Sequence, residues 1–288
     1  MAALDLLDGW EAPRAAAGVV GDGGRGFLAV RGDVTRRSRW ASVTKLATAV
    51  ATLVAVEEGT VRLEEPAGPP GATVAHLLAH ASGLAFDEDR TLARPGRLRI
   101  YSNTGYETLG AVVAERSEMS FERYLAEAVL EPLALDATSL EGSPAAGLVG
   151  PLDDLLRLAA ELLAPTLVSP ETLRLATTVA FPGLAGVLPG FGHHDPMDWG
   201  LGFELRDDKS PHWTGSRNSR ATFGHFGGSG SFLWVDRPAG LACAALSGRE
   251  FGPWAIEAWP ELADAVLDQY TNGTNGTNGT NGKDDAVD

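Results

Sequence analysis

Apolar residues recur every three or four positions after Ser42, and this is the clearest periodic pattern in the chain. The apolar positions of this stretch are Val43, Leu46, Ala47, Val50, Leu53 and Val54. Their spacing predicts an amphipathic helix that ends at Gly59. Similar spacing and capping residues predict further helices over Val74–His80, Gly105–Ser117, Phe121–Val129, Leu152–Leu163 and after Ser169-Pro170.

Strand-like segments occupy the two ends of the chain. The predicted strands are Ala17–Val20, Gly26–Arg31, Ala221–Phe226, Ser231–Val235 and Leu241–Leu246. A last helix is predicted over Pro260–Tyr270, and residues 181–200 predict a long ordered loop. We therefore expect an α+β fold, in which an antiparallel sheet built from both chain ends is flanked by helices. The sheet lobe would comprise about 1–60 and 200–270, with an inserted helical lobe at about 61–199.

Composition and charge narrow the possible partners and the location. A net charge of −15 over 288 residues argues against binding to nucleic acid. The longest apolar run, Leu46 to Val56, is about half the length that a membrane span needs. No basic residue precedes Arg14, which is not typical of a secretory signal, so we expect a cytoplasmic protein that does not enter membranes. The single cysteine, Cys243, lies in an apolar run and is expected to be a core residue.

The chain ends in sequence of low complexity. Residues 271–288 contain four Thr-Asn-Gly repeats followed by a short, mostly acidic segment. Because this stretch has almost nothing apolar to bury, we expect it to be disordered. The folded domain is therefore expected to comprise residues 1–270.

Ser42 and Lys45 stand at the start of the first predicted helix. Positions three residues apart lie on the same helical face, so the amine of Lys45 can reach the hydroxyl oxygen of Ser42. A serine hydroxyl needs such a neighbouring base before it becomes a useful nucleophile. The free N–H groups of a helix N-terminus also favour negative charge. The pair predicts a nucleophilic serine; taken alone, it also fits an ordinary surface Ser and Lys.

Two further motifs follow in the order that such chemistry needs. Tyr101-Ser102-Asn103 opens a predicted helix, and Gly224-His225-Phe226-Gly227-Gly228-Ser229-Gly230 ends a predicted strand. With the S-x-x-K motif, they resemble the serine β-lactamase and penicillin-binding-protein superfamily. The similarity is greatest to the branch with Tyr-x-Asn and His-x-Gly motifs, which contains class C β-lactamases, D-aminopeptidases and many carboxylesterases. It covers about residues 17–270 and implies a β-lactamase/transpeptidase-like fold.

The resemblance implies roles for three residues in acid–base and nucleophilic chemistry. Ser42 would be the nucleophile that is acylated. Lys45, partly desolvated, would have a lowered proton affinity and would relay a proton. Tyr101 would act as general base, its phenolate favoured by the nearby lysine, and would later protonate the leaving group.

The same resemblance implies a set of substrate-binding residues. Asn103 would donate its amide to a substrate carbonyl and to Lys45, and His225 would lie within hydrogen-bond reach of Tyr101 or the substrate. Gly227 and Gly228 would let the backbone approach the substrate. The N–H groups of Gly228 and the nucleophilic serine would form the oxyanion hole. No cofactor is implied.

Two residues of the third motif bear on the substrate. His225 stands where penicillin-recognising enzymes mostly carry lysine, and Phe226 stands where a hydroxyl residue is common. A cation and a hydroxyl are natural partners of a substrate carboxylate. Arg217 or Arg220 could take the place of the missing cation. We therefore expect a serine hydrolase that cleaves a small acyl ester or amide.

Other functions stay open at this point. The alternatives are β-lactamase or D-amino-acid peptidase activity, a penicillin-binding or sensor-like protein that is acylated without turnover, and a scaffold that keeps the fold without chemistry. The partner is expected to be a small-molecule ester, amide or lactam, and the sequence leaves the oligomeric state open.

Two histidine pairs could be taken for metal ligands, but we predict no metal site. His76 and His80 are four residues apart, yet Leu77 stands where a zinc H-E-x-x-H motif has glutamate. His193-His194-Asp195 falls in the predicted loop and is interpreted as a solvated loop or a cleft wall.

Overall fold

The computed structural model describes residues 2–24 and 26–271 of the chain. Its strands are β1 (Ala16–Gly21), β2 (Gly26–Arg31), β3 (Ser38–Arg39), β4 (Ser139–Leu140), β5 (Leu148–Gly150), β6 (Gly186–Leu188), β7 (Gly192–His194), β8 (Glu204–Leu205), β9 (Phe223–Gly227), β10 (Ser231–Asp236) and β11 (Leu241–Leu246). Its α-helices are α1 (Thr44–Glu57), α2 (Val74–Leu78), α3 (Asn103–Ser117), α4 (Phe121–Leu125), α5 (Leu152–Leu163), α6 (Pro170–Ala176) and α7 (Pro253–Thr271). Shorter 3₁₀ segments are Ala3–Trp10, Asp22–Gly24 and Ala41–Val43, and Ala126–Leu130 is π-helical.

Strands from both chain ends form the main sheet. Within the described ranges it has six strands in the order β2-β1-β11-β10-β9-β8, and all neighbours are antiparallel. Ala17 of β1 lies opposite Ala245 of β11, so the two ends of the chain meet inside the sheet. Most of the helices come from the segment between β2 and β8. The α+β fold expected from the sequence is thereby confirmed.

Both faces of the sheet are covered by apolar side chains. In β10, Leu233 and Val235 join the core formed with α1 and α5, whereas Phe232 and Trp234 join the core formed with α7. This alternation is the period of two that a strand imposes on its side chains. Because both faces are buried, β10 is apolar at four successive positions, 232–235, and it pairs with β9 along 223–227.

The helix boundaries agree with the sequence where strong capping signals exist. Helix α5 has the predicted bounds, directly after Pro151. Helix α2 is two residues shorter than predicted, since His80 adopts a left-handed φ of 53°. The predicted helix 121–129 is split into α4 and a π-helical turn, and α7 begins seven residues before Pro260.

The predicted loop 181–200 is wrong in part, because it contains a short hairpin. Strands β6 and β7 pair antiparallel, with Val187 opposite His193. Short strands between glycines give too few alternating positions for sequence recognition. Cys243 is fully buried in β11, as predicted.

Two further predictions concern the tail and membranes. All but the first residue of the expected disordered tail, residues 272–288, lies outside the described residues. Within the described part of the chain, no helix combines the length and the apolar character needed to cross a membrane. The cytoplasmic location stays a prediction.

Candidate active site

Ser42 lies in the 3₁₀ turn that precedes α1. The turn spans Ala41–Val43 and α1 begins at Thr44, so the helix starts after the serine rather than at it. Ala41 has a left-handed φ of 45°, a conformation that costs energy in a residue other than glycine. Ser42 itself is only partly buried, so part of the residue is exposed to solvent.

The end of β9 packs closely against this turn. A Cβ atom on Gly227 would lie 2.6 Å from the carbonyl oxygen of Trp40 and 3.0 Å from the Cβ of Ala41. The same carbonyl accepts a hydrogen bond of 2.7 Å from the hydroxyl of Ser231 in β10. Glycine at 227 is therefore required for the sheet edge to approach the serine turn.

Lys45 is fully buried directly beneath Ser42. Its Nζ lies 3.5 Å from Oγ of Ser42, 2.6 Å from Oδ1 of Asn103 and 3.0 Å from the carbonyl oxygen of Ala145. Burial lowers the pKa of Lys45 to about 7, as the sequence led us to expect. A neutral amine that donates two hydrogens to Asn103 and Ala145 keeps its lone pair for the proton of the serine hydroxyl.

Tyr101 connects this group to β9. Its hydroxyl lies 2.8 Å from Nε2 of His225, and its ring lies 4.7 Å from Nζ of Lys45. Burial raises the pKa of Tyr101, although the hydrogen bond with Ser42 acts in the opposite direction. Burial therefore disfavours the phenolate that the sequence led us to expect, and the role of Tyr101 as general base stays a prediction. At neutral pH a large part of the Lys45 amine is unprotonated and able to accept a proton.

His225 is neutral in this environment. Burial, followed by the positive charge of Lys45, lowers the pKa of His225 to about 3. Its Nδ1 is buried and has no hydrogen-bond partner among residues 2–24 and 26–271. Phe226, the next residue, packs on the other side of β9 against Phe251 and Trp259 at ring distances of 5.1 and 5.8 Å. It therefore offers no polar group to a substrate.

The structure thus brings together Ser42, Lys45, Tyr101, Asn103 and His225 through direct contacts. Gly228 follows the end of β9, and a Cβ there would meet nothing within 4 Å, so it borders open space.

A family model described as beta-lactamase matches residues 5–267. The chain belongs to the beta-lactamase family. This confirms the resemblance inferred from the three motifs, and the family is one of beta-lactamase-fold serine hydrolases.

Known structures and relatives agree with this assignment. The structure of a beta-lactamase from Mycobacterium bovis is 54% identical, with a TM-score of 0.91, over 93% of this chain and 99% of that chain. The structure of EstCE1, a hydrolase with promiscuous acyltransferase activity, shares the fold at 18% identity, with a TM-score of 0.75 over 92% of this chain and 98% of that one. A beta-lactamase from Yersinia enterocolitica is 46% identical over 44 residues, which span 15% of this chain and only 11% of that protein.

Two residues, Asp87 and His80, support the site of this beta-lactamase family member through contacts that the sequence did not predict. Asp87 accepts a hydrogen bond of 2.7 Å from Nδ2 of Asn103, which turns the Oδ1 atom of that amide towards Lys45. The expectation that Asn103 donates to Lys45 is therefore wrong, because Asn103 accepts from the amine and donates to Asp87 instead. His80 accepts a bond of 3.2 Å from the N–H of Ser102, and its ring lies 4.6 Å from that of Tyr101. Both contacts join residues that are 16 and 22 positions apart in the chain, and no local sequence pattern predicts them.

His76 and His80, which were considered as metal ligands, have other partners. Nδ1 of His76 lies 2.9 Å from the hydroxyl of Thr73, and His80 holds the segment before α3. His193 and His194 lie on β7. Within the described residues, no group of three His, Cys, Asp or Glu side chains is placed to hold a metal ion.

The activity of this family member should depend on the protonation of Lys45. We expect kcat/KM for an ester to rise as the pH increases through about 7, because the amine must lose its proton to act as base. The charges of Asp87 and Glu107 raise the pKa of Lys45 against the effect of burial. Asp87→Asn should therefore move the rise to lower pH, whereas Asp89→Asn, an exposed neighbour, should leave it in place. The range from pH 5.5 to 8.5 spans the pKa of about 7. A flat profile of kcat/KM over this range in the unmodified protein would contradict the assignment of Lys45 as the base.

Proposed function

We propose that this chain is a serine hydrolase that cleaves small uncharged esters or amides through an acyl-enzyme on Ser42. The observation that carries the proposal is the position of the Ser42 hydroxyl 3.5 Å from a buried Lys45 amine. The pKa of that amine, about 7, supplies a base at neutral pH. Tyr101 and Asn103 border the same group and complete an acid–base relay.

Acylation follows from these contacts. Oγ of Ser42 attacks the carbonyl carbon while its proton passes to Nζ of Lys45. The N–H groups of Ser42 and Gly228 bind the negative oxygen that forms. The bond to the leaving alcohol then breaks, the leaving oxygen takes the proton of the Tyr101 hydroxyl, and Lys45 returns a proton to the phenolate.

Deacylation runs the relay in the opposite sense. A water molecule attacks the acyl carbon and gives a proton to the relay of Lys45 and Tyr101. The bond between the acyl carbon and Oγ of Ser42 then breaks, and the relay returns a proton to Oγ. The sum is one ester and one water converted to one acid and one alcohol. Lys45 and Tyr101 end the cycle in their starting protonation states.

The charges around the site favour an uncharged substrate over one with a carboxylate. His225, which replaces a lysine, is neutral because its pKa is lowered to about 3. Arg217 pairs with Asp268 at 2.8 Å, and Arg220 pairs with Asp207 and Asp208. The two arginines that could have compensated for the missing lysine are therefore already paired with acids.

Hydrolysis of β-lactams is a second candidate. The observation that favours it is the name of the Mycobacterium bovis relative, a beta-lactamase with 54% identity to this chain. A β-lactam is also opened by acyl transfer to serine, so the same relay would serve both reactions.

Comparison of an ester with a cephalosporin separates the two candidates. We expect kcat/KM for p-nitrophenyl butyrate to exceed that for a chromogenic cephalosporin by at least about tenfold, since a desolvated ion pair with a carboxylate is worth more than that factor. A cephalosporin rate equal to or above the ester rate would reject the esterase. A burst of one product equivalent without steady turnover would indicate the non-turnover, sensor-like alternative instead.

A further inference from the structure

An apolar cavity of about 470 Å³ lies beside Tyr101. Its apolar lining comes from two segments that precede Asn103 and from the β6–β7 hairpin. Phe86, Leu98 and Val187 line it and are about half exposed, an unusual state for large apolar side chains so close to a polar site. The ring of Phe86 stacks on that of Tyr101 at 5.8 Å.

The cavity is built onto the same backbone that positions Tyr101. The N–H of Arg99 donates to the carbonyl oxygen of Ala185 at 2.9 Å, and Arg99 forms a parallel bridge with Gly186. A Cβ atom on Gly186 would collide with the carbonyl oxygen of Arg99, so glycine is needed for this approach. The segment that carries Tyr101 is therefore paired through Arg99 with Gly186, which forms part of the cavity wall.

The arginine that lines the cavity is already hydrogen-bonded. Arg99 lines it, but this residue is only 2% exposed and its guanidinium donates to four carbonyl oxygens. These acceptors are those of Ala79, Ala180, Phe181 and Met197. The other titratable side chains of the lining are His193 and Tyr101 itself. A largely apolar wall whose arginine is already hydrogen-bonded favours an uncharged, apolar group.

We propose that this cavity binds the apolar alcohol group of an uncharged ester, so that the enzyme prefers esters of longer or aromatic alcohols. The inference rests on the proposed function, in which Tyr101 protonates the leaving oxygen. The alcohol carbon is bonded to that oxygen and must lie next to Tyr101, which is one of the residues that line the cavity. The acyl group is directed away from Tyr101 by its bond to the Ser42 oxygen.

The test compares butyrate esters of ethanol and hexanol. Each fully buried methylene favours binding by roughly fourfold, so partial burial of four should give hexyl butyrate a kcat/KM about tenfold or more above that of ethyl butyrate. Val187→Trp fills the cavity and should reduce this preference at least about fivefold. Val30→Trp is the matched control, since Val30 is 50% exposed on strand β2 outside the cavity and Val187 is 56% exposed on β6.

The results show whether the alcohol group or the acyl group of the ester occupies the cavity. An unchanged hexyl-to-ethyl ratio in Val187→Trp would overturn the inference. So would a change confined to the acyl series of p-nitrophenyl acetate, butyrate and hexanoate, because it would place the acyl group in the cavity.

A binding measurement separates this inference from the proposed function. The uncharged dye N-phenyl-1-naphthylamine should bind the Ser42→Ala variant, and addition of Val187→Trp should weaken its binding about tenfold or more, while addition of Val30→Trp should not. If the dye behaves so and the esters are not hydrolysed, the proposed function fails and the apolar site stands. Equal dye binding in both double variants would overturn the site, whatever the hydrolysis shows.

Discussion

Ser42→Ala should abolish ester hydrolysis, with a loss in kcat on the order of a millionfold. The reason is that no other hydroxyl shares the contact of Ser42 with the buried amine of Lys45 in the part of the chain that the structure describes. The side chain is half-buried and removal of one oxygen leaves the turn Ala41–Val43 intact, so folding should be preserved. Steady-state hydrolysis of p-nitrophenyl butyrate measures the effect, with circular dichroism to confirm the fold.

A matched serine variant serves as the control for this loss. Ser117→Ala removes a partly buried hydroxyl at the far end of α3, whose bond to the carbonyl oxygen of Ala114 is long at 3.5 Å. Its rate should stay within about twofold of the unmodified protein, as expected for a change away from the chemistry. A Ser42→Ala protein that keeps a tenth or more of the activity would rule out this serine as nucleophile.

Lys45→Met should lower kcat by about 100- to 10,000-fold, the usual contribution of a general base. Methionine preserves the bulk of the buried side chain but cannot accept a proton. Lys45→Arg keeps a positive charge and should be as inactive as Lys45→Met, because guanidinium does not lose its proton at neutral pH. Activity of Lys45→Arg near that of the unmodified protein would show that only the charge is needed.

The buried amine of Lys45 should also affect how the free energy of unfolding depends on pH. Because burial lowers the pKa of Lys45 from 10.5 to about 7, the unfolded chain binds more protons than the folded one between these values. The contribution of this group to the free energy of unfolding should therefore rise with pH across that window, by roughly 1.4 kcal/mol per pH unit at most. Denaturant unfolding at pH 7 and pH 9 should detect this rise, and Lys45→Met should lack it. A rise of equal size in both proteins would assign it to another group.

The sequence was most informative where a local signal fixed a boundary or a role. Pro151 and the apolar spacing after it predicted α5 to the residue. The i, i+3 spacing of Ser42 and Lys45 predicted their contact, although the helix begins only at Thr44. These are short-range properties of one segment, which spacing and capping rules describe directly.

Long-range features could not be predicted in the same way. The charge state of Tyr101 depends on how deeply the fold buries it, and burial raises its pKa, which disfavours the expected phenolate. Asp87 and Ala145 contact the catalytic group from loops that carry no motif, one through a carboxylate and one through a backbone carbonyl. The apolar cavity depends on a parallel pairing between Arg99 and Gly186, which only the assembled fold reveals.

Capture of the acyl-enzyme shows whether Ser42 is the nucleophile. The protein is mixed with p-nitrophenyl butyrate, quenched in acid within its first turnovers, digested and examined by peptide mass spectrometry. The account predicts one butyryl group on the peptide that contains Ser42, formed as fast as the first equivalent of p-nitrophenol appears, and its absence from Ser42→Ala. Butyryl on another residue at that rate, or steady hydrolysis with Ser42 never acylated, would contradict it.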